Sequence, residues 1–157
     1  MTDVTPTDID RRLRGPVRVV GAGLLGASIG LALREKGVDV VLDDVSPAAL
    51  ALAVDYGAGR RPAAGDQPEL VVVAVPPRVI ADVVGESLQA YPFATVTDVG
   101  SVKAGVLDAL WERPVDLTRY VGSHPMAGSH HSGPVTADGE LFVDRTWVVT
   151  PHRKSAD

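Results

Sequence analysis

We expect an α/β fold with a doubly wound, mostly parallel sheet and helices on both faces, and three features of the sequence predict it. An apolar run at residues 17–20 leads into a glycine-rich turn, GAGLLG, at residues 21–26. A helical pattern of apolar residues follows at 24–36, and a second apolar run at 38–42 ends in two aspartates. Strand, glycine turn, helix, strand and acid in this order are typical of a dinucleotide-binding domain of the Rossmann type.

Each glycine of the turn has a predicted task in holding a dinucleotide. Gly21 permits the tight turn, Gly23 lets a pyrophosphate approach the backbone, and Gly26 lets the helix pack closely against the strand. The helix then begins at Leu24 and Leu25, where free N–H groups and the positive end of the helix dipole favour phosphate. These five residues are therefore candidate cofactor-binding residues.

Strands and helices alternate along the rest of the chain, as a parallel sheet requires. Ser46 is predicted to cap a helix that has Pro47 in its first turn and stops at Gly57. The remaining predicted strands are residues 70–75, 95–98, 119–122 and 146–150. The remaining predicted helices are residues 79–88 and 102–110, and residues 128–139 are predicted to form a long surface loop.

Length and composition predict one domain of an ordinary globular protein. The chain has 157 residues, of which 45% are hydrophobic and 22% charged. We expect a flexible tail at residues 1–14, a dinucleotide-binding domain at 15–151 and a polar end at 152–157.

The same composition argues against several classes of protein. The net charge of −5 argues against a nucleic-acid partner, since phosphate backbones require a basic surface. The absence of cysteine excludes disulfides, thiol catalysis and thiolate metal sites. No apolar run reaches the roughly 18 residues that a membrane span needs, and the acidic, polar start does not resemble a secretory signal. We therefore expect a cytoplasmic protein with a small-molecule substrate.

Two acidic residues, Asp43 and Asp44, close the second predicted strand. A carboxylate at this point accepts hydrogen bonds from the adenosine ribose and repels a 2′-phosphate. No basic residue follows at 45–47, so NAD is favoured over NADP. Strand register decides which aspartate binds the ribose; we favour Asp44, which directly precedes the turn into the next helix, while Asp43 remains open.

Further candidates follow the later strands, at the carboxyl edge where ligands bind in open α/β sheets. Ala74, Val75 and Pro76 can form a wall against the adenosine half of the cofactor, or simply terminate the strand. Gly100 tolerates unusual backbone angles, and Ser101 either caps the next helix or donates a hydrogen bond into the cleft.

His124 follows the fifth predicted strand and would lie near the nicotinamide. Histidine takes up a proton near neutral pH, which suits the oxidation of an alcohol. His130 and His131 lie beyond it, but no cysteine or suitably spaced acidic residue accompanies them, so no metal site is expected.

These features together resemble the prephenate/arogenate dehydrogenase family of the tyrosine pathway, over residues 17–151. The motifs that carry the resemblance are GAGLLGAS at 21–28, DVSP at 44–47, AVPP at 74–77, TDVGSVK at 97–103, GSHPMAGS at 122–129 and VVTP at 148–151. The resemblance implies NAD-dependent oxidative decarboxylation, in which His124 contacts the ring hydroxyl of the substrate. It also implies that Ser101 orients this histidine and that Asp44 selects the ribose. We expect Lys103 to be helix-terminal or structural rather than catalytic.

The chain departs from the family in one respect, because family members continue into a helical domain that supplies the dimer interface and basic residues for the substrate carboxylates. We find no convincing basic pair near His124 in the sequence. Two alternatives therefore stay open. One is a non-catalytic NAD-binding module, and the other is a different NAD-dependent dehydrogenase, such as one acting on 3-hydroxy acids, although the HPMAG motif argues against the latter. The choice between prephenate and arogenate also stays open.

Overall fold

The computed structural model describes residue 13, residues 15–127 and residues 133–155. These form a six-stranded sheet in the order β2-β1-β3-β4-β5-β6. The strands are β1 (Val17–Val20), β2 (Val40–Asp43), β3 (Leu70–Val73), β4 (Thr95–Asp98), β5 (Tyr120–Pro125) and β6 (Trp147–Thr150). The α-helices are α1 (Leu24–Glu35), α2 (Pro47–Asp55), α3 (Ile80–Ala90) and α4 (Ala104–Trp111).

Strands β1 to β5 are parallel, and β6 pairs antiparallel with β5. A parallel partner for β5 would need a crossover helix. The described part of the connection from β5 to β6 holds only a short 3₁₀ helix at Pro134–Thr136, so the chain returns in the opposite direction. The predicted fold class, a mostly parallel α/β sheet of the Rossmann type, is confirmed.

Helices bury the sheet on both faces. The first core lies against α1 and α2 and includes Val17, Val19, Ile29, Val40, Leu42, Leu50 and Ala53. The second core lies against α3 and α4 and includes Val71, Val73, Ile80, Val84, Val96, Val106 and Leu110. Successive residues of a strand point to opposite faces, so β3 supplies Val72 to the first core and its two neighbours to the second. A strand buried on both faces reads as a continuous apolar run, as β3 does.

Arg60 extends the sheet at its β2 edge. It forms an isolated parallel bridge with Val41, and its guanidinium binds the carboxylates of Asp39 and Asp66 at 2.9 and 2.7 Å. The chain leaving α2 therefore runs beside β2 before it crosses to β3. Because crossovers between parallel strands are right-handed, this path keeps α2 on the same face as α1.

Several predicted boundaries were wrong by two or three residues. Strand β2 starts at Val40 rather than residue 38, and β3 ends at Val73 rather than residue 75. Residues 74 and 75 leave the strand because the glycine turn packs against them. Strand β5 continues to Pro125 instead of stopping at residue 122, because β6 pairs along its whole second half.

The helix caps were predicted with mixed success. Ser46 Oγ accepts a hydrogen bond from the Ala49 amide at 3.2 Å, with Pro47 in the first turn, as expected. Ser101 does not cap the next helix, which was one of the two roles left open for it: α4 begins at Ala104, is preceded by Lys103, and has no side-chain cap. Ser101 is exposed instead.

The described residues near both ends of the chain contact the domain. Leu13 is half-buried against the first core, while the rest of the predicted tail lies outside the described residues. His152 stacks on Tyr120 with ring centroids 5.9 Å apart and meets the Trp111 ring edge-on at 5.6 Å. No helix among the described residues is long and apolar enough to cross a membrane.

Candidate active site

The glycine turn between β1 and α1 leaves room for side chains at only one of its three glycines. A Cβ added to Gly21, whose φ is +102°, would lie 2.2 Å from the carbonyl oxygen of Ala74. A Cβ added to Gly26 would lie 1.8 Å from the carbonyl oxygen of Gly21. A Cβ added to Gly23 would have no atom within 4 Å. The turn is therefore fixed at Gly21 and Gly26 and open at Gly23, where a pyrophosphate would approach.

The first turn of α1 faces the same opening. Gly23 precedes the helix, no side chain caps it, and the first turn carries no acidic residue. The amides at Leu24 and Leu25 are thus free to bind an anion, and the helix dipole favours one. These residues of this chain fit a dinucleotide pyrophosphate.

The two aspartates at the end of β2 have different partners. Asp44 accepts hydrogen bonds at 2.7 Å from the amides of Ala22 and Ser46. Asp43 instead pairs with the guanidinium of Arg18 at 2.5 Å. Asp43 meets the glycine turn through its backbone carbonyl, which accepts from the Gly21 amide at 2.8 Å, whereas Asp44 meets it through its carboxylate. The carboxylate oxygens of Asp44 retain lone pairs for a further donor.

The later sequence motifs meet in one cavity at the carboxyl edge of the sheet, which we call the cofactor cavity. It is lined by Leu25, Ala74, Val75, Pro77, Val99, Gly100, Ser101 and His124. Six of these eight were predicted site residues. Pro77 lines the cavity in place of the predicted Pro76, because the chain turns into a 3₁₀ helix at Pro77–Val79.

His124 and Ser101 share this cavity without contacting each other through a hydrogen bond. The Nδ1 atom of His124 lies 3.4 Å from the carbonyl oxygen of Val99. If Nδ1 carries the proton toward that oxygen, Nε2 is left as an acceptor for a substrate hydroxyl. The exposed Ser101 donates to no atom of the described residues.

The structure contains a buried polar network around Asp98 that the sequence did not predict. The carboxylate of Asp98 is fully buried and accepts hydrogen bonds from Tyr120 Oη at 2.7 Å and from the Gly100 amide at 3.0 Å. The ammonium of Lys103 binds the same carboxylate and donates to the Ser123 carbonyl at 2.7 Å. The network ties the end of β4 to the residue before His124, and the structural role of Lys103 stays a prediction that these contacts support.

The network also changes the pKa of Tyr120. Burial, together with the adjacent negative charge of Asp98, raises the pKa of its hydroxyl well above the ordinary value for tyrosine. The hydroxyl therefore stays protonated as the donor to Asp98.

A second cavity adjoins His124, and we call it the outer cavity. It is lined by His124, Pro125, Met126, Ala127, Leu141 and Arg145. The sequence shows no convincing basic pair near His124, because Arg145 is 21 residues away along the chain and lines the cavity only through the return of β6. The antiparallel register of β6 against β5, which places Arg145 at this edge, could not be deduced from the sequence.

The other two candidate histidines, His130 and His131, lie outside the described residues. Within the described ranges, no group of three His, Asp or Glu side chains is placed to hold a metal ion. The absence of a metal site stays a prediction.

The chain matches the family model described as "Prephenate dehydrogenase, nucleotide-binding domain" over residues 29–157. It is 41% identical over 133 residues to the probable prephenate dehydrogenase NovF of Streptomyces niveus, covering 85% of this chain and 37% of that protein. It is 31% identical over 155 residues to prephenate dehydrogenase of Bacillus subtilis, covering 92% and 41%. The chain thus spans less than half the length of these curated relatives.

Solved structures agree with these relatives. Prephenate dehydrogenase from Aquifex aeolicus, in complex with hydroxyphenyl propionate and NAD+, matches with a TM-score of 0.80 and 28% identity, over 90% of this chain and 52% of that one. Arogenate dehydrogenase from Synechocystis matches with a TM-score of 0.78 and 27% identity, over 89% and 51%. These matches show that the chain, with its glycine turn between β1 and α1, belongs to the prephenate dehydrogenase family and carries its nucleotide-binding domain.

Proposed function

We propose that this chain is the NAD-binding half of an enzyme that oxidatively decarboxylates prephenate or arogenate. The cofactor is NAD, in keeping with the nucleotide-binding family and with the NAD+ held by the similar Aquifex protein. The observation that carries the proposal is the position of His124. It stands at the end of β5, in a cavity shared with the glycine turn, where it can meet a substrate beside the cofactor.

The residues divide the work between binding and chemistry. The turn at Gly21, Gly23 and Gly26 holds the pyrophosphate, and Asp44 binds the adenosine ribose. Without a basic residue at 45–47, the ribose end has no partner for a 2′-phosphate.

His124 acts on the substrate. Nε2 accepts a hydrogen bond from the ring hydroxyl and stabilises the positive charge that develops on the hydroxyl-bearing carbon. NAD, when bound, takes the hydride from that carbon. The bond to the ring carboxylate breaks, its electron pair enters the ring, carbon dioxide leaves, and the phenol keeps the hydroxyl proton. Ser101 lines the same cavity as His124 and orients the substrate or the histidine once substrate is present.

The test is the formation of NADH from NAD with prephenate and with arogenate, with the helical domain of a relative supplied if the chain alone is inactive. Turnover of either substrate supports the proposal, and the ratio of the two identifies the substrate. Tight NAD binding without turnover under either condition would identify a binding module instead. A third outcome, turnover of 3-hydroxy acids, would indicate a different dehydrogenase.

A further inference from the structure

We propose that Arg145 binds the side-chain carboxylate of the substrate, the carboxylate that remains in the product. This inference rests on the proposed function and adds a substrate-binding residue from the nucleotide-binding domain itself. It is carried by the outer cavity, in which Arg145 faces the same space as His124.

The backbone holds Arg145 in place. In the β5–β6 ladder, His124 is opposite Val148 and Pro125 is opposite Trp147. The Met126 amide donates to the Thr146 carbonyl at 2.8 Å, which continues the pairing by one residue. Arg145 therefore follows at the carboxyl edge of the sheet, next to the chain that leaves His124.

Two further contacts fix the turn before Arg145. The Arg145 amide donates to the Phe142 carbonyl at 3.2 Å, and Asp144 has a φ of +55°. The Phe142 ring packs on Trp147 with centroids 5.1 Å apart. A cation on a fixed backbone loses less entropy on binding than one on a free loop.

The guanidinium of Arg145 has no anionic partner among the described residues. Arg18, Arg60 and Arg113 form ion pairs within the described part of the chain, whereas the exposed side chain of Arg145 forms none there. A guanidinium without an ion pair among the described residues, in one cavity with a histidine that accepts a hydrogen bond, suits a substrate that carries a hydroxyl at one end and a carboxylate at the other. Guanidinium and carboxylate match in both charge and geometry.

The reaction decides which of the two substrate carboxylates Arg145 binds. The ring carboxylate must lose its charge as carbon dioxide leaves, so a cation that stabilised it would hold back the reaction. The side-chain carboxylate keeps its charge throughout, and binding it costs nothing in the transition state. Arg145 is thus expected to contribute to substrate affinity rather than to the chemical step.

The experiment compares Arg145→Gln with the wild-type protein in its natural form, using two inhibitors that differ only in charge. These are hydroxyphenyl propionate and its neutral amide. We expect Arg145→Gln to weaken the carboxylate inhibitor and to raise KM for the substrate about ten- to a hundredfold, with the amide and kcat little changed. Arg145→Lys should recover part of the loss.

The matched control is Arg34→Gln, which removes an exposed arginine at the opposite end of α1 and should change neither inhibitor. Equal weakening of both inhibitors by Arg145→Gln would mean that Arg145 shapes the cavity without binding charge, which overturns the inference. If Arg145→Gln weakens the binding of neither inhibitor, the inference is also overturned. The proposed function still stands in that case, provided that the wild-type protein turns over the substrate. A wild-type protein that oxidises neither substrate overturns the proposed function and this inference together.

Discussion

Asp44 and Ala22 are joined by a hydrogen bond of 2.7 Å from the Ala22 amide to Oδ2 of Asp44, across 22 residues of sequence. The bond holds the carboxylate against the glycine turn, while the amide of Ser46 fixes its other oxygen. Asp43 is occupied by Arg18 on the other side of the strand end. These contacts support Asp44 as the residue that meets the ribose.

Replacing Asp44 by Ser and Val45 by Arg should raise the affinity for NADP relative to NAD by about tenfold or more, because a repulsive charge is removed and an attractive one added. Val45 is fully exposed, so an arginine fits there without steric cost. Calorimetric titration with both cofactors measures the ratio. Asp43→Ser is the control, and if it changes the ratio while the double variant does not, the ribose role passes to Asp43.

Gly26→Ala should destabilise the domain strongly, because the new Cβ would lie 1.8 Å from the Gly21 carbonyl oxygen and would force the turn open. Gly105→Ala is the matched control, since Gly105 also lies in a helix but has no atom within 4 Å of an added Cβ. The control should gain about 0.5–1 kcal/mol from the higher helix propensity of alanine. Thermal unfolding compares the two variants, and equal melting temperatures would contradict the packing argument.

The features that were predicted correctly from sequence are those whose cause is local. The turn at residues 21–26 and the cap at Ser46 and Pro47 depend on the conformations of adjacent residues, so the residue types alone indicate them. The strand β3 could also be predicted from its own residues, because a strand whose two faces both meet helices is apolar along its whole length. The two-residue errors at strand ends arose where a neighbouring segment, such as the glycine turn beside Ala74, decides where pairing stops.

The features that were missed depend on segments distant in sequence. Tyr120 contacts Asp98 only because β4 and β5 are neighbours in a fixed register, and Arg145 lines a cavity with His124 only because β6 runs antiparallel. Neither the register of β4 against β5 nor the direction of β6 can be predicted from the residue types of Tyr120, Asp98, Arg145 and His124. Ser101 illustrates the converse: it is a plausible local cap, but the helix begins at Ala104, directly after Lys103, which binds the buried carboxylate of Asp98.

Lys103→Met should reduce the free energy of unfolding by about 3–5 kcal/mol, because it leaves the fully buried Asp98 without its cation. Adding Asp98→Asn to this variant should recover part of the loss, since the uncompensated charge is then gone. Urea unfolding measures both. Lys36→Met, at an exposed position, is the control, and a loss at Lys103 no larger than at Lys36 would argue against the network.

Stability should fall steeply above about pH 10 because of Tyr120. Its pKa is raised in the folded state, so the unfolded chain releases this proton at the ordinary tyrosine value of about 10 while the folded chain retains it. The stabilising contribution is complete below that pH and decreases by about 1.4 kcal/mol per pH unit above it, until the folded-state pKa is reached. Tyr120→Phe should flatten this dependence.

The measurement for Tyr120 is the free energy of unfolding at several pH values between neutrality and strong alkali. The exposed Tyr56 provides the control, because Tyr56→Phe should keep the wild-type slope. Parallel curves for the wild type and Tyr120→Phe would show that this hydroxyl does not couple proton release to folding.

His124→Asn should lower kcat about a hundredfold or more, because asparagine can occupy the site but is not basic enough to stabilise, through the substrate hydroxyl, the positive charge that develops on the ring. NAD affinity should be unchanged, since the turn at Gly21 and the carboxylate of Asp44 are untouched. Ser101→Ala should cost less, because Ser101 has no hydrogen bond to the histidine before substrate binds. Single-turnover kinetics and NAD titration separate the two effects, and a parallel loss of NAD binding would reassign His124 from the substrate to the cofactor.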